Sequence, residues 1–270
     1  MKLQVHHQTE FRYDRPVHHS IHELRLTPQN HSTQEIMRWR VNAPSKVFES
    51  IDAFGNAMQS FVVEKNYSEL IIEAKGEVET RNEYLIVDQA KSVSPYYLLQ
   101  QTDLTNPNEA MLEYFKKITP SVWNELSLVE LTKNIGDKIQ YVAGITHSKT
   151  LASEAFALGK GVCQDQAHLM LSFCRFNGIP ARYVSGYVYD AMKPVESTHA
   201  WIDVCLNIDQ AEWLSIDITN QCLTNDCHVR LAVGRDHDHI APVKGVRFGG
   251  GEETLSVSYT HLTLPTIYSV

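Results

Sequence analysis

Four features that would assign a chain to a specialised class are missing from this sequence. It contains no apolar run of about 18 residues, which excludes a membrane-spanning helix, and its first residues lack the apolar centre of a signal peptide. It has no cluster of lysine and arginine, which argues against nucleic acid and anionic membranes as partners. Its five cysteines are odd in number and lack the spacing of a disulfide scaffold. We therefore expect a cytoplasmic protein.

The composition is that of an ordinary globular protein. Hydrophobic residues make up 43% of the 270 residues, which is enough for a substantial core, and the length suggests one or two domains. The net charge of −8, with charged residues at 21%, is only mildly acidic. Evidence for a function must therefore come from motifs and their positions.

Residues 1–90 are predicted to form an all-β, sandwich-like domain. Short segments with alternating polar and apolar residues are separated by proline, glycine and asparagine, as in strands joined by turns. We predict a turn at Asp14–Pro16 and a hairpin-like turn at Phe54–Asn56. Seven or eight strands suit a sandwich. The segments are 3–13, 22–27, 35–41, 47–53, 58–63, 70–74 and 77–87.

Residues 91–257 are predicted to form a catalytic core of the α+β class. Helical periodicity is present at 95–99, 109–117, 127–142, 152–158 and 163–177. Alternation returns at 181–189, 198–206, 212–219 and 229–233. A helix followed by consecutive strands indicates a helix packed on an antiparallel sheet. The remaining residues, 258–270, resemble a translated sequencing adapter, and we predict that they are a non-native tail.

Cys163 is a candidate nucleophile because of its position at the start of a predicted helix. It follows a loop with Gly159 and Gly161, and the helix ends at Asn177–Gly178. The positive end of a helix dipole favours the nucleophilic thiolate. For a single cysteine, however, a buried structural role is the more common interpretation. The apolar stripe that continues from Cys163 consists of Ala167, Met170, Leu171 and Cys174.

His199 and Asp217 are candidates for the base and for the carboxylate that orients it. They lie on consecutive predicted strands, each with one purely aliphatic face, and both lie on the opposite, mixed faces. A register that pairs them directly gives opposed residues whose numbers sum to 416 and a loop of five residues. A slip of one residue would move Asp217 to the other face. Taken singly, a half-buried strand histidine and a turn-forming aspartate are equally good interpretations.

At these three residues the sequence resembles the bacterial branch of the transglutaminase-like superfamily, which includes proteins described as cysteine proteases. The resemblance depends on residues 161–168 (GVCQDQAH), 178–187 (GIPARYVSGY), 198–202 (THAWI) and 216–220 (IDITN). Residues 11–17 and 22–28 resemble the β domain that precedes such cores. Residues 232–236, 241–243 and 249–251 resemble the family's C-terminal segment. The similarity thus covers nearly the whole chain except residues 258–270.

The resemblance implies a papain-like core in which Cys163 is the nucleophile, His199 the general base and acid, and Asp217 the orienting carboxylate. The oxyanion would be held by the backbone N–H of Cys163 and a second donor, for which Gln164 and Trp201 are candidates. The sequence departs from the family pattern at Ile218, where proline is usual. It also departs at His237, where an aromatic residue is more common.

The implied function is a thiol-dependent amide hydrolase or peptidase that acts through a thioester acyl-enzyme on a peptide or protein. Transglutaminase-type transfer to an amine is the first alternative, and a non-catalytic peptide-binding module is the second. No cofactor or metal is expected, because the cysteines and histidines near the C-terminus lack the spacing of a zinc site. These residues are Cys222, Cys227, His228, His237 and His239.

Overall fold

The computed structural model describes residues 1–87, 93–190 and 198–263, with side chains to residue 257. A strand of 26 residues, Lys2–Thr27, forms the centre of its N-terminal part. The strands are β1 (Lys2–Thr27), β2 (Gln34–Asn42), β3 (Phe48–Ile51), β4 (Ala57–Val63), β5 (Tyr67–Thr80), β6 (Leu85–Val87), β7 (Gln140–Tyr141), β8 (Lys160–Gly161), β9 (Ala181–Val188), β10 (His199–Asn207), β11 (Glu212–Asp217), β12 (Cys222–Leu223), β13 (His228–Gly234), β14 (Val243–Gly249) and β15 (Glu253–Thr263). The helices are a 3-10 helix (Pro95–Leu99), α1 (Glu109–Ile118), α2 (Glu125–Lys138), α3 (Ala152–Leu158), α4 (Cys163–Phe176) and α5 (His237–Ile240).

The first sheet is antiparallel and has the order β2-β5-β1-β4-β3, with β14 and β15 also paired to β1. The first half of β1 pairs with β5 and β15, and its second half pairs with β4 and β14. Two halves of the sheet therefore share one long strand. The all-β prediction for this part of the chain is confirmed.

The predicted turn at Asp14–Pro16 is wrong, because the chain stays extended through these residues. Pairing between β1 and β5 is interrupted between Arg12 and Val17, and Pro16 lies in that gap. Proline has no N–H to donate, so it is tolerated in a strand where the ladder is broken. The proline therefore marks an irregularity within a long strand and not a turn.

The second sheet is antiparallel, with the order β12-β11-β10-β9-β13 and β6 paired to β11. Its aliphatic residues pack against α4 and α2 in one core, which includes Ile202, Ile216, Leu171 and Ile135. The prediction of a helix on an antiparallel sheet is confirmed. The predicted helix at 127–142 ends earlier, at Lys138, because residues 140–141 form β7 and pair with β8. No helix in the described ranges is long and apolar enough to span a membrane.

Strand pairing crosses the predicted domain boundaries. β6 lies within the predicted N-terminal domain but pairs with β11 of the core sheet. β14 and β15 follow the core in sequence but pair with β1. The chain therefore returns to its first sheet after the second is complete, and the backbone pairing continues to Thr263, inside the predicted tail.

Two amide side chains, Gln34 at the start of β2 and Asn56 in the turn between β3 and β4, bind the edge strand of the second sheet. The Gln34 side chain makes both backbone hydrogen bonds of Arg230, at 2.8 and 2.9 Å. The Asn56 side chain does the same for Val233, with both bonds at 2.8 Å. Backbone groups at a sheet edge need partners when they are buried. Gln34 and Asn56 therefore fix β13 against the N-terminal sheet.

Candidate active site

Cys163 is the first residue of α4, and local hydrogen bonds fix the start of this helix. The buried Asp165 carboxylate accepts hydrogen bonds from the Val162 N–H and the Thr146 hydroxyl, both at 2.7 Å. A side chain at Gly161 would clash, since a Cβ there would lie 2.6 Å from the Asp165 carboxylate. The Cys163 side chain is half-buried and packs against the core. The thiol is thus held at the N-terminal end of a helix, where backbone N–H groups are unpaired.

His199 is the first residue of β10 and connects the thiol to a buried carboxylate. Its Nε2 lies 2.8 Å from Asp217 Oδ2, and its side chain also contacts the Cys163 side chain. Because Nε2 is engaged by Asp217, Nδ1 is the ring nitrogen left for the thiol. Burial lowers the pKa of His199, but the Asp217 carboxylate and the Cys163 contact outweigh burial and raise the pKa to about 10. His199 is therefore an imidazolium near neutral pH.

Asp217 is the last residue of β11 and is completely buried. Its Oδ2 faces three nitrogen atoms: His199 Nε2 at 2.8 Å, His228 Nε2 at 3.1 Å and Asn220 Nδ2 at 2.7 Å. Its Oδ1 accepts the Asn220 N–H at 3.1 Å. Burial raises the pKa of Asp217, but the two imidazoles oppose it and hold the pKa well below its usual range. Asp217 is therefore an anion fixed from several directions.

The predicted strand register is wrong by two residues, although the contact it was meant to explain is present. Ile202 pairs with Ile216 and Val204 with Leu214, so the numbers of opposed residues sum to 418. A shift of two keeps every side chain on its original face. His199 and Asp217 are consequently diagonal rather than directly opposed, which is within the reach of an imidazole.

The two predicted oxyanion candidates are engaged elsewhere. The Trp201 indole N–H donates to the Ser215 hydroxyl at 3.0 Å, and the side chain is buried. The Gln164 amide donates to the Ser148 carbonyl at 3.2 Å. Either side chain would have to give up this bond to stabilise an oxyanion. The structure thus brings Cys163, His199 and Asp217 together, whereas Gln164 and Trp201 flank them in other hydrogen bonds.

His228 and Asn220 are the residues near the site that the sequence reasoning missed. Asn220 lies in the turn directly after Asp217, where an asparagine is a signal for side-chain binding to the local backbone. His228 is the first residue of β13, and its approach to Asp217 depends on the tertiary fold. In the described ranges, no three His, Cys, Asp or Glu side chains are grouped as metal ligands would be.

A cavity of about 810 Å³ lies away from the thiol, between the first sheet and the edge of the second. Its lining includes His31, Phe54, Arg182 and Arg230. None of the candidate triad residues lines it. It is therefore not the cleft in which Cys163 would meet a substrate.

Comparison with known proteins gives two family matches and several full-length relatives. Residues 3–79 match the bacterial transglutaminase-like N-terminal region, and residues 116–218 match the transglutaminase-like superfamily. An uncharacterised protein of Mycobacterium leprae is 30% identical, over 95% of this chain and 96% of its own length. One of Mycobacterium bovis is 27% identical, over 94% of this chain and 90% of its own length.

A solved structure has the same fold. The protein from Cytophaga hutchinsonii, described as a candidate cysteine protease, superposes with a TM-score of 0.79 at 19% sequence identity. The match covers 100% of this chain and 92% of the other. At this identity the likeness concerns the fold alone.

Proposed function

The chain belongs to the transglutaminase-like superfamily, and on that premise we propose that it is a thiol-dependent amide hydrolase or peptidase with Cys163 as its nucleophile. The observation that carries this proposal is the contact series from the Cys163 side chain through His199 to Asp217. A cysteine nucleophile needs an adjacent base, and that base needs a third group to orient it. Cys163, His199 and Asp217 are suited to these three roles.

The acylation step uses a proton that His199 already carries. The imidazolium is the counter-ion that a thiolate at Cys163 requires, and the raised pKa of His199, about 10, favours this ion pair. The sulfur attacks the amide carbonyl carbon, and the developing oxyanion lies near the unpaired N–H groups of the α4 N-terminus. As the C–N bond breaks, His199 protonates the leaving amine and a thioester forms on Cys163.

In deacylation His199 acts as a general base instead of a general acid. Neutral His199 takes a proton from a water molecule, and the resulting hydroxide attacks the thioester carbonyl. The C–S bond breaks, the carboxylic acid leaves, and His199 again faces a thiolate. Asp217 holds the imidazole orientation throughout and remains ionised. An amine in place of water would give transamidation, the alternative outcome of the same acyl-enzyme.

We propose a peptide or protein amide as the substrate class and the cytoplasm as the location. The fold likeness to a candidate cysteine protease supports a peptide or protein substrate. Location can be checked by fractionating source cells with an antibody to the chain. Recovery in a membrane or secreted fraction would contradict it.

A glutamine-containing peptide, offered with and without a primary amine, tests the reaction type. We expect ammonia release without the amine, and an acyl adduct on Cys163 in quenched samples analysed by mass spectrometry. Amine incorporation at the expense of hydrolysis would favour transamidation. A generic acyl donor, p-nitrophenyl acetate, serves if the peptide sequence is not accepted. Absence of any Cys163 adduct with either compound would contradict a thioester mechanism.

A further inference from the structure

A second imidazole lies against the carboxylate that orients His199. His228 Nε2 is 3.1 Å from Asp217 Oδ2, the oxygen that also binds His199 at 2.8 Å. Both His228 and Asp217 are buried, so no bulk water competes for this contact. Asp217 ends β11 and His228 begins β13, so the two residues close the connection formed by residues 218–227.

The contact of His228 with Asp217 requires a proton on one particular ring nitrogen. The Asn225 backbone N–H can only donate, and it lies 3.2 Å from His228 Nδ1. The acceptor Oδ1 of Asn225 lies equally close to Nδ1, at 3.2 Å, so the contacts of Nδ1 do not decide its protonation. Nε2 faces the ionised Asp217 carboxylate, which can only accept, so Nε2 carries a proton. The opposite tautomer would place a lone pair against a buried carboxylate. His228 Nε2 thus donates to Asp217.

The surroundings of His228 allow little movement. Its ring makes an edge contact with Trp201, with centroids 5.4 Å apart. Two residues further along β13, Gln34 of the first sheet holds the Arg230 backbone by both of its hydrogen bonds. The Arg230 guanidinium donates to both oxygens of the buried Asp203, at 2.6 and 2.7 Å. β13 is thus anchored from its backbone and from its side chains.

We propose that His228 is a positioning residue for Asp217 and, through it, for His199; this inference rests on the proposed function. The hydrogen bond from Nε2 fixes Oδ2 in the direction of His199. It also withdraws charge from the oxygen that holds the His199 proton. Without this donor the carboxylate attracts the proton on His199 more strongly, and protonation of the leaving group becomes harder.

The expected effect follows from the loss of one hydrogen bond to a charged group. Such a bond corresponds to about a tenfold to hundredfold change in rate or equilibrium. In His228→Leu, which keeps the volume but has no donor, we expect kcat for ammonia release from the glutamine-containing peptide to fall by about this factor with little change in KM, because this leaving group needs the His199 proton. His228→Gln can donate from an amide nitrogen near the position of Nε2, and we expect it to recover most of the loss.

The pH profile of Cys163 alkylation separates positioning from a merely structural role. Iodoacetamide labelling of Cys163, followed by peptide mass spectrometry, reports the Cys163–His199 pair. In His228→Leu we expect the alkaline limb, which follows loss of the His199 proton, to move to higher pH; in His228→Gln it should return toward wild type. Equal profiles for the wild type and His228→Leu would overturn the proposal, as would His228→Gln behaving like His228→Leu.

Two further measurements keep the outcomes distinct. Nitrogen-15 shifts of His228 in the wild-type protein should show Nε2–H; an Nδ1–H tautomer would overturn the proposal even if His228→Leu fails to fold. Wild-type Cys163 labelling that is slow and indifferent to His199→Ala would instead contradict the proposed function. Fast, His199-dependent labelling that is unaffected at His228 would contradict only the role of His228.

Discussion

Lowering the pH from about 7.5 to about 5.5 should destabilise the fold through its buried histidines. Burial lowers the pKa of His7 and His22 to about 4 and that of His168 to about 3. Their exposed fractions are 2%, 5% and 0%, so solvent does not screen the effect. Below about pH 6.5 these histidines become protonated in the unfolded chain but stay neutral in the folded chain. The free energy of unfolding therefore falls as the pH is lowered.

The magnitude can be worked out from these shifts. About one pH unit below the pKa of an unfolded histidine, each of the three histidines lowers the free energy of unfolding by about 1.4 kcal/mol. The three together lower it by about 4 kcal/mol. His199 acts in the opposite direction: its raised pKa stabilises the fold fully below about 6.5, and this stabilisation is lost between about 6.5 and 10. When the pH is lowered from about 7.5 to about 5.5, His199 therefore adds about 1 kcal/mol to the free energy of unfolding. Together these four histidines should lower the unfolding free energy by about 3 kcal/mol, a large part of a typical total of about 5–15 kcal/mol.

Urea unfolding followed by tryptophan fluorescence, repeated across this pH range, measures the effect. His7→Gln removes one buried titrating ring, so its unfolding free energy should vary less with pH, by about 1.4 kcal/mol over the interval. His19→Gln is the matched control, because the His19 side chain is exposed on the same strand. An unfolding free energy that is flat from pH 7.5 to 5.5 would refute this reasoning, and so would equal slopes for the two variants.

Two other substitutions test the packing behind the site. Arg230→Met removes the two-pronged partner of the buried Asp203 carboxylate but leaves its hydrogen bond from Arg182, and urea unfolding should show a loss of about 2–3 kcal/mol. Arg12→Met, at an exposed ion pair, should lose less than about 1 kcal/mol. Gly186→Ala would place a Cβ 2.2 Å from a backbone oxygen of β13 and 2.3 Å from an indole ring, so the melting temperature should fall. In Gly136→Ala the new Cβ in α2 would meet only the flexible end of a glutamine, at 3.0 Å, so the substitution should be neutral or stabilise the fold by up to about 1 kcal/mol. A larger fall in melting temperature for Gly136→Ala than for Gly186→Ala would contradict this.

The elements around the site could be predicted because their signals are local. α4 ends at Phe176, and its first residue is the predicted Cys163. β10 and β11 begin within one residue of their predicted starts. Strong periodicity and turn residues determine such boundaries without tertiary information.

Strand register and long-range partners could not be predicted in the same way. Alternation fixes which face His199 and Asp217 occupy, but it is the same for registers two residues apart. The hairpin contains an irregularity between Cys205 and Asn207 and a left-handed residue, Ala211, with φ of 48°. Neither has a clear sequence signal. The contact of His228 with Asp217 depends on the path of residues 218–227. Helical or strand periodicity in the sequence does not predict the path of this connection.

The rate at which iodoacetamide alkylates Cys163 tests the catalytic assignment most directly. Cys222 and Cys227 are half-buried like Cys163 and provide internal controls within the same protein. Burial raises the pKa of Cys222 to about 11, so it should react slowly. At neutral pH we expect Cys163 to react at least about tenfold faster than either control, and His199→Ala to abolish that advantage. Equal labelling of the three cysteines, or an advantage that survives His199→Ala, would contradict the assignment of Cys163 as the nucleophile.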